Sequence, residues 1–83
     1  MIEILSINQT TEFCSTIWEI KLNNGKMVYV NHGLGTIDIS ISKNKTDNID
    51  DAIEGDVLYK GVAERSLNQY EMMPYLTKAL SKL

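Results

Sequence analysis

Asp47, Asp50, Asp51 and Glu54 fall at i, i+3, i+4 and i+7, the spacing that lines one face of an α-helix. Carboxylates so placed could ligate calcium, share a proton in acid–base catalysis, or present a negative array to a basic groove. The calcium reading fails. Gly55 does not stand at the sixth position from Asp47, and no bidentate Glu follows at the loop's end. Acid–base work needs a pocket that this stretch does not supply. Docking remains: carboxylates on one helix face can imitate a row of phosphates, and Asp56 extends the acidic run. The bland alternative is a solvated face whose charges sit favourably near a helix N-terminus.

Other chemistry is thin. His32, Cys14 and Arg65 are each the sole residue of their type, well apart in sequence. Nucleophilic catalysis and zinc or copper binding need such groups in clusters. Asn31-His32-Gly33-Leu34-Gly35 contains a GxG, but no strand-to-helix context follows, as a dinucleotide fingerprint would require. Turn geometry accounts for those glycines, and His32 reads as an exposed strand end. Cys14 reads as a small buried hydrophobe. No enzyme activity, cofactor or metal is expected.

Composition narrows the class. The 83 residues carry 43% hydrophobic and 23% charged side chains, values of an ordinary globular chain, so one α+β domain over residues 1–83 is expected. A single cysteine precludes an internal disulfide, which suits a reducing, cytoplasmic setting. No basic n-region precedes an apolar stretch near Met1, and no apolar run approaches the roughly 20 residues of a membrane span. Net charge of −3 argues against generic nucleic-acid binding, which depends on Lys and Arg neutralising phosphates. Lysine outnumbers arginine seven to one, and Ile and Asn are common, a bias of AT-rich genomes such as those of many phages and mobile elements.

The elements that position these residues begin with Asn24-Gly25 between two β-rich runs, a strong hairpin signal. A type I′ loop there sets Ile20 opposite Tyr29 and Leu22 opposite Met27. One face then carries Trp18, Ile20, Leu22, Met27 and Tyr29. The other carries Ile17, Val28, Val30 and His32 among Glu19 and Lys21. Ile37, Ile39 and Ile41 alternate with polar residues in a third strand. A three-residue Gly33-Leu34-Gly35 loop places them beside Ile20 and Tyr29; a one-residue slip would reverse every side chain. Ile2 to Ile7 reads as a first strand and Asn8 to Glu12 as a polar loop. Phe13 and Cys14 lead into the next strand as core residues.

Beyond residue 46 the period becomes helical. A short acidic helix follows, with Asp47 at its cap and Gly55 closing it in the left-handed conformation. Val57 to Val62 leans toward a strand. Ser66 and Gln69 have capping-box spacing. Leu67, Tyr70, Met73, Leu76, Ala79, Leu80 and Leu83 form an apolar stripe, with Pro74 expected to kink or divide the helix.

The expected architecture is α+β: a small antiparallel meander of three to four strands, covered on one face by the C-terminal helix and the short acidic helix. The expected function is a non-catalytic protein-binding module. A small phage or mobile-element inhibitor of a host enzyme, toxin or defence factor, acting by stoichiometric binding, fits this description. Candidate partner-binding residues are Asp47, Asp50, Asp51 and Glu54 on the acidic helix, and Ile17, Val28 and Val30 on the second sheet face. That second face could also seat another copy of the chain. A nucleic-acid-associated protein would need Lys43, Lys45, Lys60, Arg65 and Lys78 to converge. An accessory subunit of an enzyme complex would need His32 to meet a carboxylate across the fold.

Overall fold

The computed structural model describes residues 2–12, 14–63 and 67–83. Five strands, β1 (Ile4–Glu12), β2 (Ser15–Leu22), β3 (Met27–Gly33), β4 (Thr36–Ile41) and β5 (Asp56–Val62), pair in sequence order as one antiparallel sheet. Helix α1 (Ile49–Ile53) lies between β4 and β5, and α2 (Gln69–Leu80) follows β5. The class is α+β, with one strand more than the expected upper count. The addition is β5, and β1 runs on through Asn8 to Glu12, read from sequence as a loop. Polar β-branched residues such as Thr10 and Thr11 suit an edge strand with one wet side.

Both hairpins depart from the expected register by one residue, in opposite directions. In the first, Ile20 pairs with Val28 and Trp18 with Val30. Asn23, Asn24 and Gly25 form a three-residue loop in which Gly25 takes the left-handed position at φ +89°, the geometry of a type I turn followed by a bulge. In the second, Gly33 pairs with Thr36, leaving a two-residue loop. Leu34 and Gly35 both have positive φ, +54° and +79°, as a type I′ turn requires. The Asn-Gly pair therefore does not form the type I′ turn; Leu34-Gly35 does.

These shifts relocate side chains. Val28 and Val30 join Trp18, Ile20 and Leu22 in the core, and Met27 and Tyr29 turn to the second face. Ile37, Ile39 and Ile41 lie on the core face with Ile20, as expected, but opposite His32, Val30 and Val28 rather than alongside Tyr29. Two bulges adjust the edges. The irregularity between Ile4 and Ser6 lets both Ile4 and Ile7 reach the core, and the one opposite Ile39 and Ser40 does the same for Leu58 and Tyr59.

Helix α2 closes the core face with Met72, Leu76 and Ala79, all fully buried. The buried stripe starts from Met72, not Tyr70, which is 86% exposed; Leu83 is exposed as well. Its cap is Asn68, whose side chain accepts from the Glu71 N–H while the Glu71 carboxylate accepts from the Asn68 N–H. Pro74 sits inside one unbroken helix on its exposed side, so the bond it removes costs no buried partner. At the far end, Lys82 Nζ donates to the Leu58 carbonyl (3.1 Å) and stands over the Tyr59 ring. Tyr59 in turn tilts against Tyr75. Trp18 Nε1 is buried with no hydrogen-bond partner among the described residues.

Candidate functional site

Thr10, Ile17, Glu19 and Tyr29 lie on the sheet face away from α2, and α1 sits on that side. Ile49, Asp50 and Ile53 of α1 share a cleft with Thr10, Ile17, Glu19 and Tyr29. Ile53 also borders a smaller one with Tyr29, Asp38, Ser40, Val57 and Lys60. The two helices thus cover opposite faces of the sheet, not one shared face. The segment between β4 and β5 carries α1, and Gly55 at its end passes so close to the Ile41 carbonyl that a Cβ would overlap it. That approach, not a left-handed closing turn, is what requires glycine at 55.

The loop leading into α1 is fastened by Lys21. Its ammonium donates to the Gly25 carbonyl (3.1 Å), the Thr46 carbonyl (2.6 Å) and the Asp47 carboxylate (2.7 Å). Three acceptors use all three donors of a lysine. The hydrogen bond and charge of Lys21 hold the Asp47 carboxyl below its ordinary value. Asp47 is therefore an ion-pair partner, and the cap is Asn48, whose side chain accepts from the Asp50 N–H. Thr46 Oγ1 donates to the Asp51 carboxylate. Asp50 and Glu54 remain exposed on α1. All four carboxylates of the acidic face read from sequence are exposed; Asp47 is paired with Lys21 across to the sheet, and Asp51 accepts from Thr46 of its own loop.

Ile17 is the one apolar candidate on this face, and the structure brings it together with Asp50 in the first cleft. Val28 and Val30 are fully buried beneath α2 and cannot meet a partner. The apolar strip expected across Ile17, Val28 and Val30 does not exist, because the loop miscount exchanged Val28 and Val30 for Met27 and Tyr29. The side chains that complete the cleft are Tyr29, Ile49 and Ile53; from sequence, Tyr29 is expected on the face of Trp18 and Ile20. Ile53 is 47% exposed, and Val57 and Val62 on β5 are more so. Only the true loop lengths would have placed Tyr29 here.

The remaining candidates disperse. His32 is buried, and its Nε2 donates to the Ala63 carbonyl at 3.0 Å, which anchors the chain where it leaves β5. Cys14 is exposed in the turn between β1 and β2 rather than buried; Phe13, Arg65 and Ser66 lie outside the described residues. Lys60 is on the α1 side of the sheet, whereas Lys78 is exposed on α2, in the opposite layer. Lys60 and Lys78, which a nucleic-acid-associated protein would need to converge, therefore do not share one face. Among the described residues no three His, Cys, Asp or Glu side chains gather where a metal ion could bind, and no helix is long and apolar enough to cross a membrane. Comparisons with protein-family models, with curated proteins and with solved structures each found no match.

Proposed function

We propose that the chain is a non-catalytic protein-binding module that acts by stoichiometric contact through the α1-bearing face of its sheet. The observation that supports this reading is the cleft shared by Ile17, Glu19, Tyr29, Ile49, Asp50 and Ile53. Asp50 of the acidic helix and Ile17 of the second sheet face, candidates on two separate surfaces in the sequence, line the same cleft. Apolar, aromatic and charged side chains lining one exposed cleft are a combination found in protein interfaces. Inhibition of a bound enzyme, toxin or defence factor is one consequence such contact would have.

The test is site-directed cross-linking in cells that express the chain, with a photoreactive residue at position 53 and, as control, at exposed position 78 on α2. The reading expects one protein captured from position 53 and not from 78, and a 1:1 endpoint when the purified pair is titrated. Neutralising the rim with Asp50→Asn and Asp51→Asn is expected to slow association, most at low salt, because peripheral charges act mainly on encounter rate. Folding should shift by no more than about 0.5 kcal/mol, as exposed charges contribute little to stability. Capture from 78 alone, or inactivation of the partner at substoichiometric amounts, would overturn the reading.

A further inference from the structure

We infer that the cleft beside α1 seats an arginine or lysine side chain projected by the partner. The aliphatic stem would lie along Ile17, Ile49 and Ile53, and the cationic head would lie between Glu19 and Asp50. The inference rests on the binding function proposed above and names the chemistry of the partner's anchor. Size sets the first limit. The cleft holds about 290 Å³, at the lower edge of small-molecule pockets and suited to one long side chain. A lysine or arginine has both parts such a site needs, since its methylenes bury against apolar surface while its head stays at the polar margin.

Charge selects the cation. Lys21 projects from the same face as Glu19, two residues along β2, but its three donors are committed to Gly25, Thr46 and Asp47. Lys60 lines the other cleft, where its register partner on β4 is Asp38. Glu19, whose Oε2 accepts one long hydrogen bond from the neutral Asn8 amide (3.5 Å), and Asp50 therefore line the first cleft, and no lysine is among its lining residues. Tyr29 adds an aromatic ring to the same wall, a surface that attracts ammonium and guanidinium groups. An acidic or purely apolar anchor would instead bring like charge or leave the carboxylates desolvated, which discriminates against it.

The inference is tested on the full chain by following backbone amide shifts during titration with acetyl-Ala-Arg-Ala-amide. Lysine, norleucine and glutamate versions of the peptide serve as comparisons. Saturable shifts at Ile17, Glu19, Ile49 and Asp50 are expected with the arginine and lysine peptides and not with the other two. Glu19→Gln and Asp50→Asn, whose own spectra report that they fold, should each weaken binding by about 2–5-fold. Added salt should weaken it further. Equal shifts with norleucine, no saturable shift with any peptide, or unchanged binding in both variants would overturn the inference. The binding function is judged separately by the cross-link at position 53. Capture there, with affinity for the captured protein unaffected by Glu19→Gln and Asp50→Asn, keeps the interface and discards the cation. No capture at 53 discards the interface itself.

Discussion

The two faces of the sheet share the same strands and differ in how they are closed. The α2 face is sealed by a twelve-residue helix that inserts Met72, Leu76 and Ala79 among the β2 to β4 side chains, and the largest side chains there are fully buried. The opposite face receives five helical residues, of which only Ala52 is buried, and Ile53 is left 47% exposed. A small domain has apolar surface enough to close one core completely. Burial on the α2 side supplies the stability, and the α1 side is thereby free to carry apolar and acidic groups that folding does not need.

The largest effect that could break this contrast is Leu76→Ala. Removing a fully buried leucine should cost about 2–5 kcal/mol, measured as the fall in denaturation midpoint. Ile53→Ser on the other face should stay within about 0.5 kcal/mol. Similar losses from both would mean that the α1 face is core. Gly55→Ala should follow, costing more than about 1 kcal/mol, because the added methyl meets the Ile41 carbonyl and displaces α1 from the sheet. An unchanged midpoint would show that α1 is not held at that distance.

Smaller and opposite in sign is Leu34→Asn. Leu34 is 91% exposed at φ +54°, so its side chain gains nothing from burial while its backbone bears left-handed strain. Asparagine tolerates that conformation, and the variant should be more stable by about 0.5–1 kcal/mol. A destabilised Leu34→Asn would argue for the three-residue loop instead, and with it the other assignment of faces.

The smallest effect concerns acid. The Asp47 carboxyl is held below its ordinary value by Lys21, so its folded value lies below its unfolded one. The contribution is present in full above the ordinary carboxylate range and is lost as pH falls through the depressed folded value. Asp47 is exposed, so this contribution is slight. Asp47→Asn should lower the denaturation midpoint slightly near neutrality, where the contribution is full, and match the native chain in acid, flattening the dependence on pH between. An identical profile for native chain and variant would mean that the Lys21 staple does not persist in solution.

Much of the fold was legible because it follows from local pattern. The strict alternation of Ile37, Ile39 and Ile41 marks a strand with one buried face, and Asp47 to Gly55 carries a helical period. What local pattern could not supply was loop parity. Asn24-Gly25 has the residues of a type I′ turn, yet contacts from elsewhere hold a longer loop: Asn23 Oδ1 accepts from the Glu3 N–H, and the Gly25 carbonyl accepts from the Thr46 N–H. Leu34 gives no sign of positive φ in its side chain. The two one-residue differences cancel for the isoleucines, which keep the core face, and do not cancel for the strand between them, where Val28 and Val30 turn inward and Met27 and Tyr29 outward.

The sequence by itself determined the class, the strand and helix types, the acidic character of α1, and the absence of a second histidine or cysteine for a cluster. Each of these follows from composition or from a period of 2 or 3.6 residues. Tertiary structure decided the face on which each period is read. A one-residue change in a loop reverses every side chain beyond it, and only contacts between segments far apart in the chain select the loop. That selection buried Val28 and Val30, tied Asp47 to Lys21, and set Ile17, Tyr29 and Asp50 around one cleft.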